Sequence, residues 1–298
     1  MPDQPPLRPS ARSHSQTSYY CLLTTTMAVR SASGLLLAEL DAALGHLSTS
    51  AAPVDVDVEI RLTHSGWELH EGGCRLTESR RRAGIVPAIK QLLRERAVDR
   101  YPSWVSVHAG VVAFGDECVL LPAAAGSGKT TLTAALIAGG CTYFSDEIAV
   151  LEERALRVVP VPLSLTVKDG SVIPLHPLYP GLGTVTAHVR EDYIRVRYLQ
   201  PPIASLPDAT ASGNVRWIVF PKYSPGLETN LRPVDRPTAL KRLLGESYLS
   251  PGALERARVE SLVRWMRTID CYELPFASLS LAAELVRGLA AHRERPEK

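Results

Sequence analysis

The sequence predicts an α/β fold: a mixed sheet around a phosphate-binding loop fills residues 101–298, behind a small α+β domain at residues 19–100. Three observations predict it. An apolar strand runs into the glycine-rich segment "AAAGSGKTT" and then into a helical segment. The next apolar strand ends in two acids, Asp146 and Glu147. The N-terminal part combines a segment with apolar residues at helical spacing and segments that alternate with period two, as strands do. This combination is typical of an α+β unit.

The bulk composition is that of an ordinary globular protein. Of the 298 residues, 45% are hydrophobic and 21% are charged, and the formal net charge is +2. Such a balance argues against nucleic acid or an anionic membrane as the partner. The five cysteines are scattered without CxxC spacing, which argues against a disulfide framework or a zinc site. With no signal peptide or membrane span expected, we predict a cytoplasmic protein.

The N-terminal third divides into a tail and a small domain. Residues 1–18 are rich in proline and serine and predict a disordered tail. The domain that follows is the candidate for substrate recognition. Its expected elements are a helix in "SGLLLAELDAAL", a strand in "VDVDVEIRL", a hairpin through "GWELH" with its turn at Gly72-Gly73, and an amphipathic closing helix in "VPAIKQLLRERAVDRY".

The C-terminal domain is expected to begin near Trp104. After the acids, residues 155–200 are proline-rich and predict irregular strands and loops. The other expected elements are one strand in "WVSVHAGVVAF", a turn at Gly115-Asp116, a strand in "CVLLP", a helix in "KTTLTAALIAG", a strand, polar interruption and strand in "CTYFSDEIAVLE", a strand in "NVRWIVFPKY", and helices over 236–248, 251–267 and 278–291.

The glycine-rich segment follows the Walker A pattern of glycine, four residues, then Gly-Lys-Ser/Thr. Gly128, Lys129 and Thr130 match the pattern, whereas Ala123 stands where the first glycine belongs. Alanine is tolerable there if its φ is negative, since that glycine contributes no side-chain chemistry. An ordinary glycine-rich turn before a helix is the alternative. The expected nucleotide-binding residues are Ala125, Gly126, Ser127, Gly128, Lys129, Thr130 and Thr131.

The acids Asp146 and Glu147 end the first strand after the loop helix, a strand expected to lie beside the loop strand. A carboxylate there can hold Mg²⁺ together with Thr130, or accept a proton from an attacking hydroxyl. The alternative is an exposed turn, because Ser-Asp-Glu is also common turn composition. We therefore predict Thr130, Asp146 and Glu147 as metal-binding residues, with chemistry centred on Asp146.

A longer stretch, "VHAGVVAFGDECVLLPAAAGSGKTTLTAALIAGGCTYFSDEIAVLE", resembles the core of the HPr kinase/phosphorylase family and its related bacterial kinases. The resemblance implies the phosphate-loop kinase core shared with phosphoenolpyruvate carboxykinases. In this resemblance, His108 matches the family's histidine, and Lys129 and Thr130 match its loop lysine and hydroxyl. The acid pair matches its two aspartates, with Glu147 in place of the second. The family's Arg-Gly-Leu-Gly motif is missing, because Pro180 precedes Gly181 in "YPGLGTV". That departure puts the phosphorylase reaction and HPr as substrate in doubt.

The C-terminal segments "IVFPKYSPGLETNLRPVDRPTALKRLLGES" and "CYELPFASLSLAAELV" resemble HPr-kinase-related proteins that include kinases of lasso-peptide precursors. The resemblance implies an ATP- and Mg²⁺-dependent serine kinase acting on a peptide or protein, with a ribosomally made precursor among the candidates. Its catalytic residues would be Asp146, Lys129, His108 and Glu147. The alternatives are a small-molecule kinase or carboxykinase-like enzyme and a non-catalytic nucleotide-binding scaffold. The oligomeric state is left open.

Four further groups of basic residues have a functional and a structural interpretation. Lys222 follows an apolar strand. It is either a second cation near the transferred phosphate or a solvated residue at the end of a strand, and the second, structural interpretation is favoured. His176 is expected to be a structural loop histidine. Arg190, Arg195 and Arg197, in "VREDYIRVRYL", favour a solvent-facing ion-pair strand over recognition of an acidic substrate. The arginines at 80–82 predict a solvated approach to a helix.

Overall fold

The computed structural model describes residues 15–291 except 52, 209, 251, 252 and 254, and it has a mixed α/β architecture. The helices of this part of the chain are α1 (Gly34–Leu44), α2 (Ile85–Arg100), α3 (Lys129–Ala138), α4 (Asp169–Leu175), α5 (Arg236–Gly245), α6 (Arg256–Met266) and α7 (Leu279–Ala291). Across those described ranges, no helix is long and apolar enough to cross a membrane.

The strands of the described ranges form four sheets. They are β1 (Gln16–Leu22), β2 (Thr25–Ser31), β3 (Val56–Thr63), β4 (Gly66–Glu71), β5 (Cys74–Ser79), β6 (Val105–Val107), β7 (Ala109–Phe114), β8 (Glu117–Pro122), β9 (Thr142–Ser145), β10 (Ala149–Leu151), β11 (Val158–Val159), β12 (Leu165–Lys168), β13 (Ala187–Val189), β14 (Arg195–Leu199), β15 (Asn214–Tyr223), β16 (Arg232–Pro233), β17 (Ser247–Leu249) and β18 (Asp270–Phe276).

The N-terminal region is a five-stranded sheet in the order β1-β2-β3-β4-β5 with α1 and α2 packed on it. The expected helix, strand, hairpin and closing helix are all present. The predicted tail is too long, because β1 begins at Gln16, where pairing with Ser31 of β2 holds the chain. The rest of that tail, residues 1–14, lies outside the described residues.

The hydrophobic core of this N-terminal region continues into the second half of the chain. Buried side chains of α1, α2 and the first sheet pack in one cluster with Val150 of β10 and with Val196 and Tyr198 of β14. Helix α2 is therefore held between the N-terminal sheet and the segment that follows the acid pair. This packing brings α2 to the edge of the site described below.

The central sheet has six strands in the order β16-β18-β15-β8-β7-β9. Strands β8, β15 and β18 run parallel, whereas β7 and β9 pair antiparallel. The expectation that the acid-bearing strand β9 lies beside the loop strand β8 is wrong. The Gly115-Asp116 hairpin places β7 against one edge of β8, and β15 occupies the other edge, so β9 joins at the free edge of β7.

Alternation along these strands gives the central sheet two buried faces. Val112 and Val119 face one core with α3 and α7, whereas Val111 and Leu120 face the other core with α5 and α6. Successive side chains of a strand point to opposite faces, so each strand supplies both cores. The loop at the end of β8 is thus mounted on a strand buried on both sides.

Two sequence expectations in the second half need correction. The expected single strand "WVSVHAGVVAF" is two strands, β6 and β7, separated at His108. The chain changes sheet there, since β6 joins the four-stranded sheet β11-β10-β6-β17 and the His108 N–H donates to Glu246 O at 2.7 Å. The segment expected to be irregular contains helix α4, and β18 was not anticipated.

Helix α3 lies directly on the backbone of β7, at Gly110. A Cβ at Gly110 would lie 2.4 Å from Thr133 Oγ1 and 3.4 Å from Lys129 Cγ. We expect Gly110→Ala to lower the free energy of unfolding by about 1–3 kcal/mol, because an added methyl overpacks this contact. Urea denaturation measures the change. Gly288→Ala is the control, because its Cβ meets open space on α7 and should stabilise by about 0.5–1 kcal/mol. Equal midpoints for the two variants would contradict the packing.

Candidate phosphate-binding site

The loop between β8 and α3 has the backbone that a phosphate cradle needs. Gly126 and Gly128 have φ values of +89° and +85°, which glycine adopts without strain. Gly128 also has no room for a side chain, since a Cβ there would lie 2.7 Å from Phe276 Cζ. The Ser127 carbonyl accepts a hydrogen bond from the Tyr223 N–H at 2.9 Å. The ends of β15 and β18 therefore fix the shape of the loop.

Ala123 fits the first position of the loop. Among the described non-glycine residues, only Leu23, Leu156 and Tyr193 have positive φ, so Ala123 carries no left-handed strain. Lys129 Nζ donates to the Ala123 carbonyl at 3.3 Å. The contribution of this position comes from its main chain, which alanine supplies as well as glycine does.

Lys129 begins helix α3 and is buried, with 7% of its surface exposed. Burial lowers the pKa of its ammonium, although Asp146 and Glu246 act in the opposite direction. Lys168, at the end of β12, lowers it further. A buried cation at a helix N-terminus, next to open main-chain N–H groups, is a strong site for an anion such as phosphate.

Asp146 follows β9 and is 2% exposed. Its Oδ2 accepts from the Thr166 N–H at 3.3 Å, whereas its buried Oδ1 has no hydrogen-bond partner among the described residues. Burial raises the pKa of this carboxyl from 3.8 to about 6, although Lys129 lowers it. Hydrogen bonding by the Thr130 side chain lowers this pKa as well. An orphaned carboxylate oxygen beside a hydroxyl suits a hard cation such as Mg²⁺.

Glu147, the next residue, has a different environment. Its Oε1 accepts from Lys90 Nζ and from Thr166 Oγ1 at 2.6 Å, and its Oε2 accepts from Arg94 Nη1 at 3.1 Å. Burial would raise the pKa of this carboxyl, but Lys90 and Arg94 bring it down to about 2. Both oxygens already have cationic partners. Within the described ranges, no three His, Cys, Asp or Glu side chains are grouped to hold a metal.

Lys90 of α2 is the site residue that sequence reasoning missed. It is 3% exposed, donates to Thr166 Oγ1 at 3.0 Å and lies 5.3 Å from the centre of the Tyr198 ring. The signal was present in the sequence. Lys90 falls on the apolar row formed by Val86 and Leu93, which are four residues before it and three after it. A lysine on the buried face of an amphipathic helix predicts a buried partner of opposite charge.

His108 lies at the break between β6 and β7, in the same cavity as the loop. Its Nδ1 is 3.3 Å from Glu246 Oε2, and its ring is about one-third exposed. Burial lowers the pKa of the imidazole, and Lys129 lowers it further, against the effect of Glu246. The structure thus brings His108, Lys129, Asp146 and Glu147 around one cavity.

The remaining candidates do not join these four side chains, although Thr131 and Arg190 also line the cavity. Thr131 Oγ1 donates to Ser171 Oγ at 2.8 Å and ties α3 to α4. Lys222 lines a separate cavity of about 660 Å³ that also borders the loop, at Ala123, Ala124 and Ser127. The others are engaged or exposed: Arg190 pairs with Asp192 at 2.9 Å, Arg195 and Arg197 both pair with Asp169, Arg82 pairs with Glu39, and Arg80, Arg81 and His176 are exposed.

The main cavity has a volume of about 1320 Å³ and extends to both sides of the loop. The order of the central sheet defines these sides. Strands β15 and β18 lie on one side of β8, whereas β7 and β9 lie on its other side. The first side, here called the donor arm, is lined by Tyr223, Phe276, Ala277, Leu279 and Pro174. The second side, here called the acceptor arm, is lined by His108, Ser106, Tyr248, Leu249, Val98 and Tyr101.

The raised pKa of Asp146 predicts a pH-dependent cost to stability. An acid whose folded pKa lies above its unfolded value opposes folding increasingly as pH rises from about 4 to 6, and the cost then stays constant. At about pH 8 we expect the free energy of unfolding of Asp146→Asn to exceed that of the wild type by on the order of 2 kcal/mol. Urea denaturation at about pH 8 and about pH 4 measures this difference in the free energy of unfolding, which should vanish at the lower pH. The exposed Asp208→Asn is the control, and a gap independent of pH would contradict the assignment.

Comparison with known proteins adds little to this geometry. No family model matches the chain, and no curated protein matches it. Among solved structures, the chain is similar to the Hpr(Ser) kinase/phosphatase from Coxiella burnetii, with 12% sequence identity and a TM-score of 0.30. The match covers 63% of this chain and 92% of that chain. A likeness this weak carries no argument about chemistry, which therefore depends on the site itself.

Proposed function

We propose that this protein is a phosphotransferase that moves the γ-phosphate of ATP to a hydroxyl group, with a serine of a peptide or protein as acceptor. The single observation that carries the proposal is the buried, unpartnered Oδ1 of Asp146 in the same cavity as Lys129 and the glycine loop. A buried charge with few partners is costly, and Asp146 lines the cavity that also contains Lys129 and the glycine loop.

The phosphates of the donor would be held by the loop and by Lys129. Main-chain N–H groups of the loop would donate to the phosphates, in part by releasing the Ser127 N–H from the Ala124 carbonyl, and the N-terminus of α3 would add its positive dipole. The buried ammonium of Lys129 would exchange the Ala123 carbonyl for the β- and γ-phosphate oxygens. Lys168 adds a second positive charge on the same side of α3.

Thr130 and Asp146 would hold Mg²⁺, which neutralises charge on the phosphates when bound. Glu147 is not needed as a ligand, because its oxygens are held by Lys90, Arg94 and Thr166. Its role would be to anchor the corner at which Asp146 turns into the cavity. A metal held by few protein groups, with the rest of its ligands from phosphate and water, is usual for Mg²⁺.

Asp146 would also receive the proton of the acceptor. Without a bound cation, burial raises the pKa of this carboxyl to about 6, so the carboxylate is ionised at neutral pH. The acceptor oxygen bonds to the γ-phosphorus as the bond from that phosphorus to the β,γ-bridging oxygen breaks. The electron pair remains on ADP, and the hydroxyl proton passes to Asp146. His108, held by Glu246, lies at the mouth of the acceptor arm and would orient the hydroxyl.

The nucleoside of ATP fits the donor arm. Tyr223 is 47% exposed beside the loop, and its ring centre lies 5.5 Å from that of Phe276 in a tilted arrangement. A base can stack on an exposed aromatic ring, which contributes about 1–3 kcal/mol for nucleic-acid bases. The arm lies across the loop from Asp146, which leaves the other side of the γ-phosphate for the acceptor, as in-line transfer requires.

The shape of the cavity is the observation that bears on the size of the acceptor. Its volume of about 1320 Å³ is shared between the space proposed for ATP and the acceptor arm. A small-molecule kinase or a carboxykinase-like enzyme would need a closed pocket beside Asp146, whereas the acceptor arm continues along α2. The non-catalytic scaffold makes a different prediction, because its behaviour would not depend on Asp146.

Labelling with γ-phosphate-labelled ATP tests the transfer. We expect the wild type to label serine in peptides, and Asp146→Asn to lose roughly 100-fold or more in rate while still binding ATP, since a general base typically contributes this much. Lys129→Met should lose ATP binding as well, because the phosphates lose their cation. The exposed Lys241→Met on α5 is the matched control. ATP binding with no labelled acceptor would refute the kinase and favour the scaffold.

Comparing ATP with inorganic tripolyphosphate tests the donor arm. Tyr223→Ala should weaken ATP binding about tenfold and leave tripolyphosphate binding unchanged, because only ATP carries a base to stack. Tyr223→Phe keeps the ring and should bind both as the wild type does. Isothermal titration calorimetry measures all the constants. Equal losses for the two ligands would show that Tyr223 only supports the loop.

A further inference from the structure

Five lysine and arginine side chains line the main cavity, and four of them already have a partner. The four are Lys90 and Arg94 with Glu147, Lys129 with the Ala123 carbonyl, and Arg190 with Asp192. The fifth is Lys168, at the end of β12. The acid next to it, Asp169, pairs with Arg195 and Arg197 instead. Among the described residues, the ammonium of Lys168 therefore has no hydrogen-bond or ion-pair partner and is left to pair with a ligand.

The alternation along β12 places Lys168 on the side of the strand that carries the acid contacts. Leu165 and Val167 are buried in the core with α3, so Thr166 and Lys168 lie on the opposite side of the strand, and both line the cavity. The Thr166 N–H donates to Asp146 Oδ2 at 3.3 Å. Neighbours on one side of a strand are about 6–7 Å apart, so Lys168 begins within one side-chain length of this contact.

The chain that follows Lys168 is tied to the loop helix. Ser171, three residues later, accepts a hydrogen bond from Thr131 Oγ1 at 2.8 Å, and Thr131 belongs to the first turn of α3. Lys168 thus lies between two attachments, one to the acid after β9 and one to the helix that begins at the phosphate loop. The two cations also interact, since Lys168 lowers the pKa of Lys129. These contacts place the unpaired ammonium beside the expected position of the terminal phosphate.

We propose that Lys168 is a catalytic residue whose ammonium binds the γ-phosphoryl group while that group moves from ATP to the acceptor. This inference rests on the proposed kinase function and deepens it by naming the side chain that contacts the transferred group. A lysine suits the task, because its charge sits on a flexible four-carbon stem and can follow a moving group.

The loop and Lys129 hold the phosphates of bound ATP, whereas Lys168 acts on the equatorial oxygens of the group in transfer. The acceptor oxygen bonds to the γ-phosphorus as the bond from that phosphorus to the β,γ-bridging oxygen breaks. The electron pair stays on ADP, and the hydroxyl proton passes to Asp146. Lys168 neither gives nor takes a proton. Its charge stabilises the three equatorial oxygens, on which negative charge is spread in the transition state.

Steady-state kinetics of Lys168 variants test the role. We expect Lys168→Met to lower kcat for serine peptides about 100-fold, because a preorganised charge is lost from the transition state. The KM for ATP should change by less than about threefold, since the loop and Lys129 remain. Lys168→Arg keeps the charge and should retain at least about a tenth of the wild-type kcat. The exposed Lys241→Met is the control. An unchanged kcat in Lys168→Met, or a loss confined to the KM for ATP, overturns the inference.

A second measurement uses the wild type alone and does not depend on the folding of a variant. Lys168 is partly exposed, so an amine-acetylating reagent can reach it. Its acetylation, followed by mass spectrometry, should be slower with the β,γ-imido analogue of ATP and Mg²⁺ than with ADP and Mg²⁺, because only the analogue carries a γ-phosphoryl group. Acetylation of Lys241 should be the same in both complexes. Equal acetylation of Lys168 in the two complexes contradicts the contact.

The outcomes separate this inference from the kinase proposal. If the wild type labels serine peptides and Lys168→Met does so at the same rate, the kinase stands and the role of Lys168 falls. If the wild type binds ATP and labels no acceptor, the kinase proposal itself falls. A loss of kcat in Lys168→Met that Lys168→Arg restores in part supports both.

Discussion

The structure around the site depends on one ion-pair cluster, in which Glu147 is held by the buried Lys90 and the partly exposed Arg94 of α2. Charges removed from water are costly unless each has a partner with good geometry, and the loss of one partner leaves the other uncompensated. The cluster therefore fixes the distance between α2 and the turn after β9. Because α2 packs on the N-terminal sheet and shares its core, that sheet contributes to the geometry of the candidate site.

The same cluster explains why two adjacent carboxylates differ. Glu147 receives two cations and a hydroxyl, and its pKa falls to about 2. Asp146 is at least as deeply buried but has one main-chain N–H, and its pKa rises to about 6. Environments that push neighbouring pKa values apart divide the roles between the groups. One carboxylate is a permanent anchor, and the other can exchange a proton near neutral pH.

The sequence predicted the parts of this site that depend on local chemistry. The loop, its helix and the acids after the next strand follow from spacing and turn composition, and each of those elements is present. What it did not predict depends on pairing at long range. The position of β9 beside β7 is decided by which sheet edges the hairpin and β15 leave free. The contact between Lys90 and Glu147 joins residues 57 positions apart, and neither segment reveals the other.

The bond from Lys129 to the carbonyl of Ala123 has a consequence for how such sites are found. What this bond requires of the first residue is an oxygen on the main chain and a φ that is not positive, and alanine meets both needs. A search pattern that demands glycine at this place passes over this chain. A pattern built from the two positive-φ glycines, the lysine and a distant buried acid would retain it.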